Sequence, residues 1–190
     1  MAALATPAQL GAFLQQPLAD GDLTALLMLD IASGMVRDYL NAQLDAVTSD
    51  VALLDPVDGQ YIFLPELPVN SVTLVETYDD TVTPAVWTVA DPTTYLVSTR
   101  MGVIAAKPST GVAWPSAPGT WRVTYSHGYA TVPMTIVGTV LGAAARAYSS
   151  PAGIDSERIG GYQVKYSMET GGFTPSEKRA LDRYVNPRIA

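Results

Sequence analysis

The chain has 190 residues, 48% of them hydrophobic, a formal net charge of -7 and no cysteine. That length and apolar content allow one ordinary domain, or a compact core carrying a sizeable insertion, and exclude a disordered chain. Without cysteine there are no disulfides, thiolate metal sites or cysteine nucleophiles. The opening stretch "MAALATPAQLGAFLQQ" has no basic segment and is broken by Pro7, Gly11 and Pro17, and no apolar run approaches the roughly 20 residues that span a bilayer, so neither a secretion signal nor a membrane contact is expected.

From Asp22, "DLTALLMLDIASGMVRDYLNAQL" spaces Leu23, Leu26, Leu27, Ile31, Met35, Tyr39 and Leu40 by threes and fours, which predicts a helix with one apolar stripe and Asp22 as its N-cap. Asp30, Arg37, Asp38 and Asn41 fall on the opposite face. Gly34 in its interior costs about 1 kcal/mol against alanine, an amount that a close helix crossing offsets.

Short β-rich runs follow: "QYIFLP", "NSVTLVETY", "AVWTVA", "TYLVST", "GVIAAK" and "GTWRVTYSHGY". Turn-rich links such as "DPVDG" and "YDDTVTP" separate them, and Pro65, Pro68, Pro84 and Pro92 fall at segment ends, the pattern of antiparallel hairpins. Residues 50–128 are therefore expected to form a β-module with its two ends close together.

A second helix begins at Pro133, with Ile136, Val137, Val140, Leu141, Ala144 and Tyr148 as its stripe and small residues elsewhere, a composition that suits enclosure on several sides. "RIGGYQVKYS" then reads as one short strand entered through two glycines. It is expected to pair with the β-module or with a neighbouring copy, because a lone strand leaves its backbone groups unpaired. The last helix starts in "TPSEKRALDRY", where Thr174, Pro175 and Glu177 supply cap, first residue and capping box. The expected class is α+β: a small helical bundle of residues 1–49 and 129–190, an inserted antiparallel β-module of residues 50–128, and a short extra strand before the final helix.

Charge is unevenly placed. Residues 1–60 hold eight aspartates against Arg37 alone, whereas residues 146–190 hold seven bases against five acids. An acidic front and a mildly basic back argue against tight DNA binding, which needs a concentrated basic face, and suit head-to-tail contact between copies. Catalytic groups are scarce. His127 is the sole histidine and sits in a strand-to-helix corner; Asp55, Asp58, Asp79 and Asp80 read as turn residues; "IGGY" and "TGGF" lack the context of a phosphate-binding loop. No enzyme, cofactor or metal is expected.

Four stretches taken in order, "VTYSHGYATVP", "ARAYSSPAG", "SERIGGYQVKYS" and "FTPSEKRALDRY", resemble the head-tail connector (adaptor) proteins of long-tailed bacteriophages and gene-transfer particles. The matching positions are Tyr125, His127, Gly128, Tyr129, Val132 and Pro133; Ser156, Glu157, Ile159, Gly161, Tyr162, Val164 and Tyr166; and Thr174, Glu177, Leu181 and Tyr184. Phe173 stands where a leucine is common. The resemblance covers some two thirds of the chain, is weakest in the β-module, and rests on the order of the motifs rather than on any one of them.

It implies a virion structural protein at the head-tail interface, assembled in the cytoplasm of a bacterial host: a homo-oligomeric ring of twelve copies beneath the portal protein, meeting a downstream head-completion or tail-terminator protein and lining part of the channel through which DNA passes without specific binding. Tyr162, Val164, Tyr166, Arg179, Arg183, Tyr184, Arg188 and Ile189 are the candidate contacts with neighbouring copies or the portal. The alternative is a carbohydrate- or protein-binding β-module in which Trp87, Trp114 and Trp121 form an aromatic platform.

Overall fold

The computed structural model describes residues 2–111, 114–149, 156–159, 162–165 and 172–185. The chain divides into two compact units, one made of Met1–Ala42 with Val132–Ala190 and the other of Gln43–Thr131.

The first unit contains four helices: α1 (Pro7–Leu14), α2 (Leu23–Leu40), α3 (Met134–Ser149) and α4 (Pro175–Asp182). Helix α1 departs from the expectation that Pro7 and Gly11 break the N-terminal segment. Thr6 caps it, accepting from the Gln9 N–H, while the Gln9 side chain accepts from the Thr6 N–H at 2.8 Å; Pro7 occupies the first turn, where its missing N–H costs nothing. Gly11 is buried because its backbone lies against the returning chain, where a Cβ would sit 2.7 Å from the Gln16 carbonyl oxygen.

Helix α2 begins as expected, with the Asp22 carboxylate accepting from the Ala25 N–H at 3.0 Å. Its buried face is another matter. Ala25, Leu29, Ala32, Ser33, Val36, Arg37 and Leu40 are buried, whereas Leu23, Leu26, Leu27 and Ile31 of the expected stripe are exposed. The helix is apolar on two sides, and the side with Ala25, Ala32 and Ser33 is the one whose small side chains let neighbours approach closely. Ser33 stitches that face: its hydroxyl donates to the Leu29 carbonyl (2.6 Å) and accepts from the Leu4 N–H (2.9 Å). Arg37, expected on the outer face, is turned inward and donates to the Ala2 carbonyl at 2.8 Å.

Helix α3 buries Ile136, Val137, Val140, Leu141 and Ala144 as its pattern predicts, with Thr139 and Ala145 beside them. Its outward line, Met134, Gly138 and Arg146, is exposed.

In the second unit, β1 (Val47–Leu54), β3 (Val69–Asp79), β4 (Val86–Val89) and β7 (Trp121–His127) form one antiparallel sheet in the order β1-β7-β3-β4. Strands β2 (Tyr61–Phe63), β5 (Tyr95–Ser98) and β6 (Val103–Ala106) form a second, in the order β2-β6-β5. The inner faces share one core of Ile62, Leu64, Val69, Val75, Ile104, Trp121, Val123 and Tyr125. Period-2 alternation shows most plainly in β7, where residues 121, 123, 125 and 127 are buried and 122, 124 and 126 are partly exposed.

The inserted module is closed at its entrance. Val47 pairs with His127, Asp45 bridges to Tyr129, and the Tyr129 N–H donates to the Leu44 carbonyl at 2.9 Å. Between these lies Gly128, with φ +82°, its N–H donating to the Pro68 carbonyl (3.0 Å) and its carbonyl accepting from Asn70 Nδ2 (2.9 Å). A Cβ at this position would collide with the carbonyl of Asp45. The glycine of "YSHGY" is thus required by both backbone angle and space.

Strand and hairpin replace the single strand expected over 158–167. Two strands, β8 (Ser156–Ile159) and β9 (Tyr162–Lys165), pair with each other in register Ser156↔Lys165 through Ile159↔Tyr162. Two short β-rich segments separated by two glycines are a local hairpin signal in the sequence, and β9 accordingly pairs with β8 rather than with the β-module.

Gly128→Ala should destabilise the fold by more than about 2 kcal/mol, through the positive φ and the clash together. Urea unfolding measures it; a shift below about 0.5 kcal/mol would mean that the entrance is not tightly closed.

Candidate interaction surfaces

The candidate contact residues fall into three groups. Tyr162 and Val164 lie on β9, paired with Ile159 and Glu157 of β8. Arg179 and Arg183 are exposed on and just after α4, and Tyr184, half-buried, donates its N–H to the Leu181 carbonyl at 2.7 Å. Tyr166, Arg188 and Ile189 lie outside the described residues.

Helix α4 is held by a compact set of polar contacts. Thr174 accepts from the Glu177 N–H at 3.3 Å, and the Glu177 carboxylate accepts from the Thr174 N–H at 2.8 Å, so the capping box read from "TPSE" is present. The same carboxylate takes a two-pronged bond from Arg146 of α3, both arms 2.9 Å. Burial works against the charged form of Glu177, but Arg146 and the two Thr174 bonds outweigh it and hold the carboxyl below its ordinary value. At the other end Tyr39 donates to Asp182 at 2.6 Å, its ring stands edge-on to Phe173 at 5.7 Å, and Leu181 is fully buried. This leaves Lys178, Arg179 and Arg183 outward, a mildly basic exposed face on a firmly seated short helix.

The three tryptophans are not brought together as a platform. Trp121 is fully buried, with Trp114 packed on it at 4.3 Å and its Nε1 donating to the Pro115 carbonyl. Trp87 lies on the other face of the sheet beside Tyr78, beneath the Arg122 guanidinium, which also grips Glu76 with two 2.7 Å bonds. Core packing claims two of the rings and an ion pair the third.

His127 ends β7 almost fully buried, with Nε2 3.3 Å from an Asp50 carboxylate oxygen. Asp79 accepts from the Thr81 N–H and hydroxyl within its own turn, whereas Asp55 accepts from the distant Gly119 N–H and ties the end of β1 to the turn before β7. Among the described residues no three His, Asp or Glu side chains gather as a metal site, and no helix is long and apolar enough to cross a membrane.

No family model and no curated protein matches the sequence. Solved structures do. A chain from the neck of a native GTA particle, computed with C12 symmetry, superposes with a TM-score of 0.59 at 19% identity, covering 98% of this chain and 91% of that one. A chain from the neck of an empty GTA particle, computed with C6 symmetry, gives 0.56 at 18% identity over 98% and 92%. One from the virion of a native gene transfer agent particle gives 0.53 at 19% over 98% and 94%. The likeness is one of fold. It spans nearly the whole of both chains, helical unit and β-module alike.

Glu177→Ala should cost about 1–2 kcal/mol at neutral pH by removing half of the capping box and the partner of Arg146. Because the folded carboxyl is held low, its contribution is complete above the ordinary glutamate value of 4.5 and is lost as pH falls through the depressed one. The stability gap between wild type and Glu177→Ala should therefore narrow on acidification below pH 4.5; thermal melts across that range check it, and a constant gap would contradict it.

Proposed function

We propose that the protein is a head-to-tail adaptor of a DNA-delivering particle, built into a ring of twelve copies beneath the portal and lining part of the channel by which DNA leaves. The observation that carries this reading is the fold shared, over 98% of the chain, with a chain of a particle neck computed with C12 symmetry. The motif order at the C-terminal side supports it independently of the superposition.

The chemistry is consistent with a mechanical role. A ring repeats modest heterologous contacts around a closed path, so each joint is reinforced by all the others. A passage for DNA works best where phosphates are not neutralised, and the acidic balance of the chain suits transit without retention. A downstream head-completion or tail-terminator protein would continue the channel, and assembly would take place in the host cytoplasm before the particle is finished. The binding-module alternative loses its support because the tryptophans do not converge.

The end of α4 and the chain after it, with Arg183, Tyr184, Arg188 and Ile189, are the proposed portal contact; the β8–β9 hairpin, with Tyr162, Val164 and Tyr166, is one proposed contact with a neighbouring copy. Deletion of residues 185–190 tests the first. The shortened chain should keep the thermal stability of the full chain but no longer co-sediment with the portal ring. Undiminished co-sedimentation would exclude the tail as the portal contact, and a full-length chain that never binds a portal would overturn the adaptor reading itself.

A further inference from the structure

Helix α2 leaves an apolar line uncovered. Leu23 is 81% exposed, Leu27 55% and Ile31 49%, at positions i, i+4 and i+8, with Leu26 beside them at 39%. Four large apolar side chains exposed side by side on one helix face form the kind of contiguous patch that marks an interaction site. The opposite side of the helix is already satisfied by its own unit through Ala25, Leu29, Ala32, Val36 and Leu40. Asp30 and Asp38, expected on the opposite face, instead flank this apolar line, both exposed, and Arg37, the one base in the helix, is turned inward to the Ala2 carbonyl.

We infer that this face of α2 is the joint between successive copies, and that it seats on the N-terminal half of α3 in the next copy, beside that copy's α4. The inference rests on the ring reading and names the surfaces that close the ring.

Three observations select a second copy in that orientation. First, two α2 faces meeting each other would bring acids of both copies together with no base between them, which disfavours a self-complementary pairing. Second, the outward line of α3 has the matching character. Met134 is 72% exposed, a Cβ on Gly138 would meet nothing within 4 Å, and further along Gly142 and Arg146 meet Glu177 of α4, which also carries the exposed Lys178 and Arg179. An open apolar end of α3 with a base-bearing helix packed on its other half complements an apolar ridge edged by acids. Third, α2 and α3 are packed together, and each buries one line while exposing another, so ridge and shelf are two different surfaces of one unit. Unlike surfaces that complement each other produce head-to-tail contacts, which close into a ring when the rotation permits.

The absence of cysteine from the chain makes a clean test possible. Full-length Leu27→Cys and Gly138→Cys chains are prepared separately, mixed with the portal, oxidised and resolved without reductant, and the same samples are imaged. The mixture should give a covalent dimer that neither chain gives alone, and a chain carrying both substitutions should give a ladder of higher oligomers. Leu27→Cys dimers forming without the second chain would overturn the head-to-tail orientation. Rings that form without any mixed product would overturn this joint while leaving the ring standing. If no rings form with the portal, the ring reading falls and the joint with it.

Discussion

The structure depends on closure of the β-module at its own entrance. Residues 44–47 run alongside residues 127–129, and the Gly128 backbone lies so close to Asp45 that no side chain fits between them. The chain therefore enters and leaves the module side by side, and one helical unit can be assembled from two distant segments. The β7 strand makes this possible. It lies between β1 and β3, joining the first and last parts of the module through its most buried residues. Such pairing is non-local and incurs loop-closure entropy, which the Trp121, Val123 and Tyr125 core must offset.

Local grammar was legible where one signal spoke alone. "TPSE" announced α4, Asp22 announced α2, and the alternation in "WRVTYSH" announced β7. The same grammar starts α1 in "TPAQ" with an equivalent capping box, but there Pro7, Gly11 and Pro17 read as breakers and hide it; Pro7 in fact occupies the one turn where proline is tolerated. Strand β1 was obscured for another reason. Val51 and Leu53 face outward while Ala52 and Leu54 pack toward the core, so apolar residues on both faces hide the period of two. Helix α2 poses the same problem at a period of 3.6: two apolar lines compete, and the N-terminal leucines that read as core, Leu23, Leu26 and Leu27, are left outside while Leu29, Val36 and Leu40 are buried.

That reversal connects fold to function. A helix that buries Leu29, Val36 and Leu40 on one side and still exposes Leu23, Leu27 and Ile31 on another is only half explained by the stability of its own unit. It is well explained by a second surface to be covered. The sequence also placed the acids and bases correctly in number, yet their arrangement on α2 and α4 required knowing that Arg37 turns inward and that Arg146 is committed to Glu177. Of the contact candidates, those on α4 can be judged by geometry, and the helix presents them on a well-anchored support.

Imaging of the full-length chain bound to its portal, reconstructed without imposed symmetry, decides whether the copies form a ring. A closed ring of repeated subunits around an open axial channel is expected, each chain showing both the helical unit and the β-module. Single or paired copies on the portal, or a ring with no axial passage, would contradict it.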